Sequence, residues 1–390
     1  MNSATIALVT QQVVARGDGQ GRVNYEIAQA ALAAGLRLQI VAMRCDESLA
    51  AHPGVRFIKL NYGQLPTQLL RNYAFARAGG RWLHAHRAAY NLIHACGYVT
   101  EVPADVNTAH FVHRGWLKSH AYPFAWSGGA YNAYQRFYTL RNAALERRAF
   151  LSARRVVAIS GKIADELRAV DVPEDRLRLI YNGVNVREFH PGSGDRTRFG
   201  LPAEGLLFLF AGDIRTTRKG LDTVLKALAD VPDAHLAVAG ALDNSPFPAQ
   251  LSSLRLEGRV HFLGKVLDMP VLMRSVDLFV FPSRYEAMGL VILEAMASGL
   301  PVLTASTAAG AEILGQGGRV LDDPNDAATL ARWMRELAAD EVLRQQMGAA
   351  GREIAERYTW ERMTTAYLAL YDELLSTKTS LRNPHQRGGS

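Results

Sequence analysis

Two carboxylates, Glu286 and Glu294, stand in the otherwise apolar and small-residue stretch "RYEAMGLVILEAMASGLPV", residues 284–302. The preceding "DLFVFPS" reads as a short buried strand ending in a turn, and "MGLVILEAMASG" has a helical pattern that closes on glycine. Glu286 is therefore expected at the strand-to-helix junction, with the helix starting just after it. The first N–H groups of a helix lack intrahelical partners and carry the positive end of its dipole. The amides of Ala287, Met288, Gly289 and Leu290 are thus expected to form an anion site suited to phosphate. Gly289 lets a ligand approach the backbone closely. Helical geometry puts Glu294 about two turns in, on nearly the same face as Glu286. One carboxylate can then meet the reacting end of a bound molecule and the other its hydroxyls further along. The same spacing also arises on solvated helices, so the surrounding elements must decide.

Those elements alternate. "TIALVT", a glycine-bearing break, the helical "NYEIAQAALAAGL" and the strand-like "RLQIVAM" form a βαβ unit, and "RRVVAIS", "GKIADELRAV" and "RLRLIYNGV" repeat it. After "HPGSGDRTRFGLP", which reads as a linker, a second series offers "LLFLFAG", "AHLAVAG", "VHFLG", "DLFVFPS" and "LPVLTA", short apolar strands suited to a doubly covered parallel sheet. The fold expected is α/β, two doubly wound Rossmann-like domains in tandem, with ligands at the carboxyl ends of the strands. At 390 residues the chain is long enough for two such cores. The boundaries expected are 1–190 and 191–358, then a helix over 359–375 with an apolar stripe through Trp360, Met363, Tyr367 and Leu370, and a flexible tail over 376–390.

Composition narrows the functional class. Apolar residues make up 48% and charged residues 21%, typical of a soluble globular chain. No apolar run reaches the roughly 20 residues of a membrane-spanning helix, and the opening is too short in apolar length for a signal peptide, so a cytoplasmic location is expected. Cys45 and Cys96 match neither a disulfide framework nor a metal site. His84 and His86 in "WLHAHRAAYN" have no metal-ligand spacing either, and backbone-bonded histidines at a strand end are expected. Residues 1–190 hold 23 Lys and Arg against 13 Asp and Glu, a balance of +10, while the remainder, 21 against 24, carries −3. Such an amino-terminal half faces something anionic or serves solubility.

Together "PSRYEAMGLVILEAMASGLPVL", "IYNGVNVREFHP" and "FAGDIRTTRKGLDTVLKAL" give the chain its resemblance, over nearly its whole length, to the retaining, nucleotide-sugar-dependent glycosyltransferases of the GT-B fold, family 4 in particular. The resemblance implies two domains facing each other across a cleft, the amino-terminal one for the acceptor and the carboxyl-terminal one for a UDP-, GDP- or ADP-sugar donor, tied by the final helix crossing back. It implies that Glu286 hydrogen-bonds donor-sugar hydroxyls and stabilises charge at the anomeric carbon, and that Glu294 holds the ribose hydroxyls. Lys219 matches the family's diphosphate-binding lysine. Where the family's arginine usually stands this sequence has Asp213, which leaves Arg215 or Arg218 for that role, with Arg215 preferred. Gly19 and Gly21 in "GDGQG" match the glycine-rich loop that approaches donor phosphate and acceptor. His110 in "VNTAHFVHRGW" matches the histidine near the donor sugar, with His113 as competitor.

The same resemblance implies retention through attack from the face of the departing diphosphate. No Asp-x-Asp triplet occurs, so Lys219, an arginine and the helix end are expected to stabilise the leaving group without a metal, and no cofactor is expected. The acceptor class implied is a glycan or lipid-linked hydroxyl in bacterial surface polysaccharide or glycolipid synthesis. Residues 111–150 interleave Trp, Tyr and Phe with Lys and Arg, which suits peripheral contact with an anionic membrane, a diphosphate-bearing lipid acceptor, or an aromatic face packed on its own core. No nucleic-acid-binding module accompanies that stretch. A phosphorylase-like transfer to phosphate and a noncatalytic sugar or lipid binder are the alternatives.

Overall fold

The computed structural model describes residues 4–17, 19–60 and 65–382. Its chain divides into two compact units, Met1–Tyr181 with Glu361–Ser390, and Asn182–Trp360.

The first unit is built on a seven-stranded parallel sheet of β1 (Thr5–Val9), β2 (Arg37–Ala42), β3 (Val55–Lys59), β4 (Leu92–Cys96), β5 (Val106–Ala109), β6 (Arg155–Ala158) and β7 (Leu177–Leu179), in the order β3-β2-β1-β4-β5-β6-β7. Ile6 of β1 faces Leu38 on one side and Leu92 on the other. Helices cover both faces, so β4 and β5 are buried throughout and read as continuous rather than alternating runs. The chain winds one way through β2 and β3 and the other way from β4 onward. The carboxyl ends of β1 and β4 therefore flank a crevice.

The second unit repeats the plan with β8 (Leu206–Ala211), β9 (Ala234–Ala239), β10 (Val260–Gly264), β11 (Leu278–Phe281), β12 (Val302–Ala305) and β13 (Gly318–Leu321), ordered β10-β9-β8-β11-β12-β13. Phe208, Phe210, Phe279 and Phe281 fill its centre, fully buried. Here the order reverses between β8 and β11.

The passage from one unit to the other falls at Tyr181–Asn182, not at 190. The polar stretch after His190 is no loose linker: Arg196 bonds the Ser275 carbonyl at 2.9 Å and the Asp277 carboxylate at 2.8 Å, and Gly194 lies where a Cβ would stand 2.4 Å from the Ser275 backbone. The last helix, Trp360–Arg382, buries Met363, Tyr367, Leu370 and Tyr371 and returns the chain to the first unit. Its attachment is polar as well as apolar. His94 of β4 meets the Tyr371 hydroxyl at 2.5 Å and the Thr108 hydroxyl at 2.8 Å, and Thr108 meets Tyr367 at 3.1 Å. That helix continues to Arg382, so 376–382 is helical where a tail was expected, and 383–390 lies outside the described residues.

Candidate active site

At the reversal point of the second sheet, the segment after β8 meets the segment after β11. Thr216 caps the short turn Thr217–Lys219 by accepting from the Arg218 amide. Gly220 follows with φ +81°, and a Cβ there would stand 2.2 Å from the Pro282 carbonyl oxygen, so this close crossing requires glycine. Arg284 fastens the two segments. Its guanidinium grips the Asp222 carboxylate with two bonds of 2.7 Å, donates to Asn325 at 2.8 Å and to the Thr217 carbonyl, while its own amide donates to the Arg218 carbonyl at 2.9 Å. Such a bidentate pair fixes orientation as well as distance.

This clamp brings Lys219 onto Glu286, and the ammonium and carboxylate form a close ion pair with both side chains more than four-fifths buried. Burial works against the Glu286 charge, but the Lys219 ammonium, Arg218 and the Ala287 amide together outweigh it and hold the carboxyl below its ordinary value. Burial likewise lowers Lys219, with Glu286 opposing and Arg218 adding to the fall. The ammonium also lies 5.3 Å from the centre of the Phe281 ring. Arg215 behaves differently. More than half exposed, it is closed onto Asp213 by bonds of 2.8 and 3.0 Å. Of the two arginines in this loop, it is Arg218 that acts electrostatically on both members of the pair.

The helix after Glu286 spans Leu290–Ala297, beginning three residues later than the start expected just after Glu286. The reason is Gly289, at φ +77° and ψ +73°, which breaks helical geometry and leaves the helix without a side-chain cap. Glu286 is instead held extended, its carbonyl accepting from Ala309 at 3.2 Å, and its own carboxylate accepts from the Ala287 amide at 3.2 Å. Ala287 is thus occupied, and the leading amides of this helix are those of Leu290 and its successors. Glu294 is half-buried one turn into the helix, not two, and no helical repeat links it to Glu286.

The first unit carries a second polar site at its own reversal point. A cavity of about 300 Å³ opens at the carboxyl ends of β1, β4 and β5, lined by Gln11 and Gln12 after β1, Cys96 and Gly97 at the end of β4, and His110 directly after β5. Burial pushes His110 down to about 4, so its imidazole is neutral, and its Nε2 is buried with no hydrogen-bond partner among the described residues. His113 has a different setting: its amide and Nδ1 meet the two oxygens of Glu146 at 2.9 and 2.8 Å. Gly19 and Gly21 are not in the loop but in the first turn of the helix Gly19–Ala33, which brings Gln20 to the cavity, and Asp18 lies outside the described residues. His84 and His86 end a helix, Gln68–Ala85, rather than a strand, and His86 Nδ1 meets the Trp82 carbonyl oxygen at 2.8 Å. Among the described residues no cluster of three His, Cys, Asp or Glu is arranged to hold a metal.

Two family models divide the chain between them. The model for glycosyl transferases group 1 matches residues 194–354, and that for glycosyltransferase family 4 matches 17–188. The chain belongs to the family 4 glycosyltransferases. It is a glycosyltransferase with the GT-B type of fold, two parallel-sheet Rossmann-like units. A D-inositol 3-phosphate glycosyltransferase of Streptomyces avermitilis is 27% identical over 91% of this chain and 83% of its own. Among solved structures, sucrose-phosphate synthase from Thermosynechococcus elongatus shares the fold at TM-score 0.81 and 22% identity, covering 96% of this chain and all of its own. HepE of Anabaena, solved in complex with UDP and glucose, does so at 0.70 and 18%, over 94% and 99%.

Within this glycosyltransferase, sequence reasoning passed over Arg284, Asp222 and Glu146. Arg284 stands inside the motif, between "PS" and Glu286, and a cation in an apolar turn with an aspartate after "KG" is a signal that the two loops pair. Glu146 carried no such signal, because its partner His113 is 33 residues away.

Proposed function

We propose that the protein transfers a hexose from a nucleotide-sugar donor to a hydroxyl of a glycan or lipid-linked acceptor, with retention of anomeric configuration, in bacterial surface polysaccharide or glycolipid synthesis. The observation that carries this reading is the buried Lys219–Glu286 pair at the reversal point of the second sheet, with Arg218 beside it. Departure of a nucleoside diphosphate adds negative charge to its oxygens, and prearranged cations stabilise that charge without reorganisation. Lys219 and Arg218 supply them, together with the leading amides of the helix Leu290–Ala297. Arg218 takes the role in preference to Arg215, whose guanidinium is committed to Asp213. Glu286, kept ionised, bonds donor-sugar hydroxyls and steadies positive charge at the anomeric carbon, and Glu294 holds the ribose hydroxyls.

The first unit supplies the acceptor pocket, where neutral His110 bonds a sugar hydroxyl through the ring nitrogen that has no hydrogen-bond partner among the described residues. The acceptor proton leaves to the departing diphosphate oxygen, on the same face, so that configuration is retained and no metal is needed. A fold neighbour that holds UDP and glucose supports a uridine donor. No helix among the described residues is long and apolar enough to cross a membrane. Trp126, Tyr131 and Phe137 expose large rings among arginines, which supports peripheral contact with an anionic membrane through the first unit.

A metal-free thermal-shift series with UDP, GDP, ADP and their sugar conjugates tests this reading, with Glu294→Ala alongside. Stabilisation by one nucleotide series, lost in the variant, is the expected result. Absence of any shift, with turnover only in the presence of inorganic phosphate, would replace the reading with a phosphorylase.

A further inference from the structure

The cavity of the first unit has a composition that the transfer reaction alone does not require. Six of its lining residues are carboxamides: Gln11, Gln12, Gln20, Gln68, Asn72 and Asn142. Among the described lining residues there is no lysine and no arginine, although the surrounding stretch 51–150 holds 12 basic side chains against 3 acidic ones. The arginines next in sequence to two of the carboxamides are engaged elsewhere. Arg71 donates to the Leu65 carbonyl at 2.7 Å, and Arg141 to the Tyr73 hydroxyl at 2.6 Å. Among the described lining residues there is one carboxylate, Glu146, and both its oxygens accept from His113.

The carboxamides are ordered against one another. Gln68 donates to Asn72 at 2.8 Å, Asn72 donates to Asn142 at 3.1 Å, and Asn142 donates to the Tyr138 carbonyl at 2.8 Å. Each amide carries both donors and an acceptor, the complement of a hydroxyl, which is itself donor and acceptor. A phosphate has acceptors and charge, and stripping its water without a cation in reach is costly. The buried Glu146 carboxylate would add repulsion. With about 300 Å³ the cavity lies at the small end of ligand pockets, enough for one ring and not for an extended chain.

The geometry points to an uncharged polyhydroxylated ring, a neutral sugar or cyclitol, as the group this pocket takes, with exclusion of the same ring bearing a phosphate. This rests on the proposed transfer reaction only in assigning the pocket to the acceptor. Neutral His110 fits the same chemistry, since its buried Nε2 can exchange one hydrogen bond with a ring hydroxyl and offers no charge to a phosphate.

Ligand-observed saturation-transfer NMR on the full chain tests it, with UDP in every sample. The ligands are matched pairs: myo-inositol with D-inositol 3-phosphate, glucose with glucose 6-phosphate, and mannose with mannose 6-phosphate. Expected is a signal at least about fivefold stronger for the neutral member of one or more pairs, a ratio that Gln12→Arg or Gln68→Arg, both at exposed rim positions, lowers at least about threefold. Equal or stronger binding of the phosphorylated members overturns the proposal. So does silence from every neutral ligand, or a ratio that neither arginine changes. The UDP signal in the same tubes reads the donor site separately, so loss of the donor reading and loss of this one are told apart.

Discussion

The two units place their polar sites at equivalent points, where the strand order of a parallel sheet reverses, yet they fill those points with opposite chemistry. In the second unit the site is a charged pair, Lys219 with Glu286, reinforced by Arg218 and clamped by Arg284 on Asp222. In the first it is a set of carboxamides lining the same cavity as two histidines, with the carboxylate of Glu146 closed onto His113. The contrast shows that topology fixes where a ligand meets a Rossmann-like sheet, and the loop residues fix what kind. Charge that is buried must be positioned, which explains why the second site carries a clamp. Neutral donors and acceptors need only mutual hydrogen bonds, and the carboxamides Gln68, Asn72 and Asn142 of the first site have those instead.

Removing the charge at the second site is expected to have the largest effect. Glu286→Gln keeps the shape but leaves the Lys219 ammonium without its carboxylate, and turnover is expected to fall by about 10³-fold, in the range lost when one preorganised electrostatic group is removed. Steady-state kinetics with the donor found by thermal shift measures it. Arg284→Met tests whether the clamp matters through Lys219. It leaves the Asp222 carboxylate half-buried and unpaired, so a stability loss of about 3–5 kcal/mol is expected, and in whatever protein folds, nucleotide affinity should fall while Arg284→Lys restores only part of it.

The first unit is expected to respond to pH through its buried histidines. Burial holds His94 down to about 3 and His110 to about 4. Below an ordinary histidine value of about 6.5 the unfolded chain takes up protons that the folded first unit refuses, so stability falls as pH drops through that window. At pH 5 each histidine is expected to cost roughly 2 kcal/mol relative to neutral pH, and His94→Gln should remove about half of the slope in urea unfolding. The smallest effect belongs to Arg215→Ala. An exposed side chain paired with Asp213 is worth well under about 1 kcal/mol, so nucleotide affinity should change less than about threefold, whereas Arg218→Ala should weaken it at least tenfold.

Much of this was legible in the chain. Apolar strands bounded by Gly and Pro exposed nearly all of the second sheet, and the stripe Trp360, Met363, Tyr367, Leu370 marked a helix that is indeed buried along that line. β3 and β13 were not legible because each is short, with a charged residue and partly exposed positions that blur any period. β4, "LIHAC", was hidden by His94, a polar residue whose buried place depends on Tyr371, 277 positions away. Two local contacts that no periodicity announces bear on the site readings. The choice between Arg215 and Arg218 turned on whether Asp213 would hold its near neighbour. The start of the helix after Glu286 turned on one left-handed glycine, Gly289, rather than on the apolar pattern.

The nucleotide part of the donor is proposed to bind at the charged site of the second unit. Hydrogen exchange of the full chain with and without saturating UDP tests it most directly, because it reports location as well as binding. The strongest protection is expected in 212–222 and 283–297. Protection concentrated in 92–113 and 129–146, with those two segments unchanged, would contradict it.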